Sequence, residues 1–405
     1  MPVWRRLGQF LSVVTILLSL VALVAGAQSP AEQQPYAVME RRKVWYPGPG
    51  RGVESDVRGE SIKIGLILPL EGAQAEQGKV LLQAAQIAVE EANGKAVAQK
   101  GAGLRFALAV GNESEQWGQA SNAIVQLIMQ EQVLAMVTSE DGRIAHQAEQ
   151  IVNKFGVPVL TLSTDPTTTQ INIPWIFRVG PSDAEQAKAI VADMERNEAF
   201  HSVLLIAESD YDGQIGGNEF VRTVKRASMA AAGEMRLDAA PFPPSDFWET
   251  VNSSNAGTVV VWSNPALAKR IVELVRQHKP GTRIYLSAKA AGFMDTEELQ
   301  QGTVQVPMGV TAQANEEFSR MYQAKTGVGP GMAARQMYVA VRSVIDATRS
   351  VGANRARVRD YLASGAKISV GAQTFSFDPA GNITGEISLI GRRPEPITNT
   401  PLGGQ

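Results

Sequence analysis

The 405-residue chain carries nearly balanced charge, with 38 lysines and arginines against 40 aspartates and glutamates and a net charge of −2. A nucleic-acid partner requires a concentrated basic surface, so this mixed composition argues against one. The chain has no cysteine, which excludes disulfides, thiol catalysis and a lipid on an N-terminal cysteine. Its length exceeds what one compact core supports and predicts two domains.

Residues 1–27 have the pattern of a secretory signal peptide. Arg5 and Arg6 form a positive start, an uncharged apolar run follows, and Ala25-Gly26-Ala27 fits the small-residue cleavage rule. We expect export and cleavage, so that the mature chain begins near Gln28. The alternative is an uncleaved membrane anchor, because the apolar run is close to the lower length limit for a span.

Residues 28–60 form a polar N-terminal extension that we expect to be mostly irregular and packed on the next domain by Trp45 and Tyr46. The glycines and prolines after Tyr46 resemble a phosphate loop only superficially. No strand precedes them, and proline lacks the backbone donor that such a loop needs.

A strand, a loop and a helix open the first domain between Ser61 and Gly94. Alternating apolar residues at 62–68 predict the strand, Pro69 ends it, and apolar residues at helical spacing from Lys79 predict the helix. This unit is the opening of an α/β domain. In such domains ligands bind at the carboxyl ends of the strands.

Strands and helices alternate along the rest of the chain, which predicts parallel sheets with helices on both faces. The first series has strands at 104–110, 133–137, 158–162 and 175–179 and helices at 117–130 and 143–155. The second has helices at 184–197, 216–231 and 266–278 and strands at 203–207, 258–262 and 283–287. The tail has helices at 332–350 and 355–363, and a strand entering a turn at 374–382.

Four stretches in this order resemble one known family: IKIGLILPLEG from Ile62, GVPVLTLSTDPTTT from Gly156, IFRVGPSDAEQA from Ile176 and FSFDPAGNITGEISLIG from Phe375. They are similar to type I periplasmic solute-binding proteins, the leucine/isoleucine/valine-binding receptors of ABC transporters. The resemblance implies two doubly wound α/β lobes, joined by three crossovers, that close on a small molecule by hinge bending. The first lobe would hold 61–179 and 310–366, and the second 180–309 and 367–405.

The resemblance places a ligand carboxylate at the start of the helix near Arg143. Ser139 is a suitable capping residue there, and the exposed N–H groups of such a helix end attract an anion. By our alignment Gly142 replaces the family's ligand-binding serine, so the backbone donors are kept and the hydroxyl is lost. Arg143 either grips an anionic ligand group or is a solvated side chain paired with Glu140 or Asp141.

A second ligand loop is expected at Ser163, Thr164 and Asp165, with a cap or turn formed by Ser-Thr-Asp-Pro as the alternative. Tyr211 resembles the family's tyrosine that packs over the ligand as the lobes close. Gln77 stands where some members have a ligand-stacking aromatic residue.

Trp262 and Lys289 complete the expected site. Trp262 could supply the missing aromatic surface, or belong to the core. Lys289 stands near the position where amino-acid binders have an acidic residue for the ligand's ammonium, and a lysine would repel that group. The alternative is a surface lysine. With Arg143, these departures suggest a ligand that carries a carboxylate and lacks a free amine.

The expected function is therefore that of an exported, periplasmic and monomeric receptor. It would capture a small solute, amino-acid-like or carboxylate-bearing, and deliver it to an ABC permease in the inner membrane. The alternative is a sensory or regulatory module of the same fold that signals to a membrane partner. We expect no enzymatic activity, cofactor or metal, because the three histidines lie far apart in sequence and no P-loop or nucleophile elbow is present.

Overall fold

The computed structural model describes residues 50–391, except 54, 56, 58–59, 99–103, 114–117, 172, 198–201, 230, 239, 295–303 and 314. The predicted signal peptide and the predicted packing of Trp45 and Tyr46 lie outside the described residues. Within them, the strands form two large sheets and one two-stranded ribbon. No helix in the described part of the chain has the length and apolarity needed to cross a membrane.

The first sheet is five-stranded and parallel, in the order β2-β1-β3-β4-β5. Its strands are β1 (Ile62–Leu68), β2 (Phe106–Asn112), β3 (Ala135–Thr138), β4 (Val159–Thr161) and β5 (Ile176–Arg178). The helices between them are α1 (Ala75–Ala98), α2 (Gln119–Met129) and α3 (Gly142–Phe155).

The side chains of β1 explain why helices cover both faces of this sheet. Ile64 and Leu66 point to one face and pack with Leu81 and Ala88 of α1. Ile67 points to the other face, into the core formed with α2 and α3. Because successive side chains alternate across a strand, one apolar run supplies both cores.

The second sheet has six strands in the order β13-β10-β9-β8-β6-β7, and only the β10–β13 pair is antiparallel. It is built from α4 (Asp183–Arg196), β6 (Val203–Glu208), α5 (Tyr211–Arg226), β7 (Ala231–Leu237), α6 (Phe247–Ser253), β8 (Thr258–Trp262), α7 (Pro265–His278), β9 (Arg283–Leu286) and β10 (Val304–Met308). Helices α6 and α7 pack on one face, and α4 and α5 on the other.

After β10 the chain returns to the first sheet. Helices α8 (Glu316–Thr326), α9 (Met332–Val351) and α10 (Arg355–Ala363) and the ribbon of β11 (Ile368–Val370) and β12 (Gln373–Phe375) all contribute to the core beside α1. Strand β13 (Ser388–Ile390) then joins the second sheet. The fold class is therefore confirmed: two α/β lobes joined by three crossovers. The predicted lobe boundaries, including the one at 366/367, stay a prediction.

The three crossovers lie against one another. The Thr311 hydroxyl donates to the Val179 carbonyl at 2.7 Å, linking the second crossover to the first. Arg178 donates to the Asn382 side chain, linking the first to the third. A Cβ on Gly309 would lie 2.9 Å from Pro181 Cδ, so the backbones approach closely there.

The helix expected at 216–231 is shifted in the structure and runs over Tyr211–Arg226. Gly213, Gly216 and Gly217 are poor helix formers, which hid its start. The Asp210 carboxylate caps it by accepting from Gly213 N–H at 2.8 Å. Gly216 is required by packing, since a Cβ there would lie 1.9 Å from Trp262 Nε1.

Candidate functional site

The amino ends of two helices face each other between the lobes. Helix α3 begins at Gly142 and is capped by Asp141, and α5 begins at Tyr211 and is capped by Asp210. The Gly142 N–H donates to Asp212 Oδ1 at 3.1 Å, which joins the first lobe to the second. Both helix dipoles present their positive ends, so carboxylates are stabilised between them.

The two lobes approach each other closely at Gly142. A Cβ added there would lie 2.7 Å from Asp212 Oδ1 and 2.9 Å from Tyr211 Cε1. A serine would not fit this closed arrangement. The expected loss of a hydroxyl with retention of the backbone donor therefore has a physical reason: Asp212 fills the space and accepts the N–H.

Lys289 is not a surface lysine. Its side chain is 13% exposed and forms an ion pair with Asp212, which is 10% exposed. Burial opposes the lysine charge, but the nearby carboxylates of Asp212, Asp210 and Asp141 outweigh it and hold the pKa of Lys289 above its usual range. The positive charge that was expected to repel a ligand amine is thus neutralised within the protein.

The second ligand loop reaches the other lobe through Asp165. Tyr211 donates its hydroxyl hydrogen to Asp165 Oδ2 at 2.8 Å, and His146 Nε2 lies 2.9 Å from the same oxygen. Asp165 also accepts from the Thr167 N–H at 2.8 Å, as the cap of a short 3₁₀ helix. Asp165 therefore forms the expected cap and also contacts Tyr211 of the other lobe, whereas its contact with a ligand stays a prediction.

His146 links this loop to a second buried carboxylate and was missed from the sequence. Its Nδ1 lies 2.6 Å from Glu149 Oε1. The hydrogen bonds to Asp165 and Glu149 outweigh burial and raise the pKa of His146 to about 10, so the ring is an imidazolium at neutral pH. Burial alone would raise the pKa of Asp165, but hydrogen bonds from His146, Thr167 and Tyr211 lower it to about 2.

Ser163 and Thr164 are buried in the same loop. The Ser163 hydroxyl accepts from the Asp165 N–H at 3.2 Å, and the Thr164 carbonyl accepts from the Asp183 N–H at 2.8 Å. Thr164 lines a narrow crevice together with Asp212 and Lys289. Thr164 therefore faces the other lobe, whereas the Ser163 hydroxyl supports the turn.

Arg143 adopts the alternative arrangement considered from sequence. It is exposed, and its guanidinium contacts Asp141 through Nη2–Oδ2 at 2.7 Å and Nε–Oδ1 at 3.2 Å. Burial would raise the pKa of Asp141, but Arg143 and Lys289 hold it below its usual range. A contact between Arg143 and a ligand stays a prediction.

Trp262 lies in the core on the α4–α5 face of the second sheet. Its indole N–H donates to Asp183 Oδ1 at 3.1 Å. Burial raises the pKa of Asp183 to about 8. Trp262 also lines the crevice beside Lys289. The expected core position is therefore observed, and the role of Trp262 as an aromatic surface for a ligand stays a prediction.

A second pocket lies on the other side of Lys289. Gln77, Ser139, Glu113 and Glu140 line it. Burial raises the pKa of both glutamates to about 8, and Ser139 donates its hydroxyl hydrogen to Glu113. The structure thus brings together the predicted Gln77, Ser139 and Lys289. The two glutamates were missed as site residues, although both follow strand carboxyl ends.

A metal site is not indicated in the described ranges. No group of three or more histidine or carboxylate side chains there is arranged to hold a metal ion. Two carboxylates, Asp141 and Asp210, are helix caps, and a third, Asp212, lies in the first turn of α5. The arrangement suits electrostatic binding of a polar solute.

The sequence pattern of the periplasmic binding protein family matches residues 61–387. The chain belongs to the periplasmic binding protein family. The match spans all three crossovers and every strand of the two sheets except β13, and it confirms the resemblance to type I solute-binding receptors.

Solved periplasmic binding proteins share the fold. A leucine-binding protein of Thermotoga maritima is 19% identical with a TM-score of 0.67, covering 81% of this chain and 94% of its own. A branched-chain amino acid binding protein of Streptococcus pneumoniae in complex with isoleucine is 19% identical with a TM-score of 0.69, covering 82% and 96%. A Rhodopseudomonas palustris solute-binding protein in complex with benzoate is 15% identical with a TM-score of 0.69, covering 81% and 92%. At these identities the likeness concerns the fold alone.

Curated relatives include two receptors of Arabidopsis thaliana. Glutamate receptor 3.4 is 26% identical over 172 residues, 41% of this chain and 16% of the receptor. Glutamate receptor 2.7 is 36% identical over 89 residues, 22% of this chain and 9% of the receptor. This periplasmic binding protein thus spans a small part of the length of the curated relatives it matches.

Proposed function

We propose that this periplasmic binding protein captures a small amino-acid-like or carboxylate-bearing molecule between its lobes and delivers it to an ABC permease in the inner membrane. One observation carries the proposal. The amino end of α3 already holds a carboxylate, that of Asp212, through the Gly142 N–H. A ligand carboxylate would occupy the same position when the lobes open and Asp212 withdraws.

Two further points support this proposal. The isoleucine complex of the Streptococcus protein and the benzoate complex of the Rhodopseudomonas protein both hold a carboxylate-bearing ligand. The N-terminal pattern at 1–27 is that of an exported protein, cleaved near Gln28. In this proposal the receptor is a periplasmic monomer with no catalytic role and no cofactor.

A second candidate function is a sensory module that signals to a membrane partner. The local match to plant glutamate receptors favours this candidate. A signalling module of this fold would dimerise through its first lobe, whereas a transport receptor would act as a monomer. Sedimentation velocity of the purified chain with and without ligand distinguishes the two.

A thermal-shift screen tests the primary proposal. The panel holds leucine, norleucine, lysine, glutamate, benzoate and dicarboxylates. A ligand at a hundred times its dissociation constant stabilises the folded state by about 2.7 kcal/mol. We expect at least one carboxylate-bearing compound to raise the melting temperature. Absence of any shift across the panel would contradict the proposal.

A further inference from the structure

Glu140 is a buried carboxyl group without a hydrogen-bond donor in the described part of the chain, although the charge of Lys289 acts on it. The residue is only 8% exposed, and no side chain or backbone group in the described ranges donates a hydrogen bond to its carboxyl oxygens. A buried carboxyl that lacks hydrogen bonds is costly to the folded state. A ligand that donates a hydrogen bond to this carboxyl group would remove that cost.

The Glu140 side chain lines the pocket that contains Gln77 and Glu113, and Asp141 is at its rim. From the second lobe, Gly292 leaves room for it, since a Cβ there would lie 2.9 Å from Glu140 Oε1. Lys289 also lines the pocket, but its ammonium group is paired with Asp212. The pocket therefore has more carboxyl groups than cations. A ligand cation beside Glu140 would lower the raised pKa of that carboxyl group, because an opposite charge favours the ionised form.

The rest of the lining indicates the kind of cation. Pro69, Leu81 and Phe293 provide an apolar wall beside the carboxylates. An apolar wall suits a methylene chain, whereas carboxylates suit an ammonium or guanidinium group at its end. A metal ion fits poorly, because no three acidic or histidine side chains in the described ranges are arranged around one point.

We propose that this pocket selects ligands that carry an ammonium or guanidinium group at the end of a short apolar chain, with Glu140 as the group that binds the cation. The inference rests on the proposed function, since it concerns one end of the solute that the receptor captures. Glu113, which follows β2, lines the same pocket, and the amino end of α3 is left for the ligand carboxylate.

The pair of lysine and norleucine tests the inference, because the two amino acids share one carbon skeleton and differ only in the terminal ammonium. Calorimetric titration of the full chain should give an affinity for lysine about tenfold or more above that for norleucine, as expected for a charged hydrogen bond. Without an acidic partner the order reverses, since burying an unpaired ammonium is unfavourable.

Two variants assign the effect to Glu140. Glu140→Gln keeps the shape and removes the charge, and it should reduce the preference for lysine to about threefold or less. Glu76→Gln is the matched control, because Glu76 is exposed in the first turn of α1 and pairs with Lys79. It should leave the preference unchanged. Circular dichroism checks that both variants are folded.

The outcomes separate this inference from the function on which it rests. If leucine, norleucine or benzoate binds and lysine does not, the receptor function stands and the cation pocket is overturned. A lysine preference that survives Glu140→Gln also overturns it. If no compound of the panel binds, both proposals are contradicted.

Discussion

Replacing Lys289 by methionine should destabilise the protein strongly. The change keeps most of the side-chain volume but leaves the Asp212 carboxylate, 10% exposed, without its partner. The nearby Asp141 and Asp210 add repulsion. Breaking a buried ion pair by removing one partner costs about 3–5 kcal/mol, since an uncompensated charge stays buried. We expect a loss of that size in the free energy of unfolding at neutral pH.

Urea unfolding followed by circular dichroism measures this loss, with Lys63→Met as the matched control. Lys63 pairs with Glu131, and the two side chains are 39% and 40% exposed, so the control should cost about 1 kcal/mol or less. The double variant Lys289→Met/Asp212→Asn should recover most of the loss, because neither charge remains. A loss for Lys289→Met no larger than that for Lys63→Met would refute the reasoning.

Three other changes test the contacts between the lobes. The wild type should be more stable than His146→Gln by an amount that is largest below about pH 6.5 and is lost as pH rises towards 10, because the folded-state pKa of His146 is raised to about 10. Urea unfolding midpoints of both proteins across that range measure the difference in stability. A difference that does not change with pH would contradict the prediction. Gly142→Ser should hold the ligand-free lobes apart, since its Cβ would lie 2.7 Å from Asp212 Oδ1. X-ray scattering should therefore show a larger radius of gyration for this variant than for the control Gly94→Ser, because nothing lies within 4 Å of a Cβ at position 94. Tyr211→Phe removes the 2.8 Å hydrogen bond to Asp165 and should lower the free energy of unfolding in urea by about 1–2 kcal/mol. An unchanged stability would contradict the role of this hydrogen bond in joining the lobes.

The sequence predicts the elements whose local pattern agrees with their packing. Strand β1 and helix α1 are examples, because their apolar periods match the faces that they bury. Elements that depend on tertiary contacts were missed or displaced. Near the start of α5, Gly216 is required because Trp262 packs against it, and Gly213 because the Glu208 carbonyl oxygen lies close to it. Strand β10 carries a proline at 307 and a glutamine at 305. Their local propensity is weak, and neighbouring strands supply the stabilisation.

The candidate site was predicted in part for a similar reason. Loops at strand ends and a helix amino end can be located from sequence, and Gly142, Asp165 and Tyr211 do lie together. The partners of Lys289 and the role of His146 could not be located. Asp212 lies 77 residues from Lys289, and no local pattern specifies which charges meet once two lobes close.

The adjacent crossovers have a consequence for how the molecule can be observed and recognised. Sliding or twisting of one lobe over the other would break the Thr311–Val179 and Arg178–Asn382 contacts. Rotation about the line through those contacts preserves them. A rotation of this kind is described by a single angle, and one pair of fluorophores across the cleft would report it. A partner protein that contacts the rims of both lobes would bind with an affinity that depends on the same angle. It could therefore distinguish the ligand-bound protein from the ligand-free one without contacting the ligand.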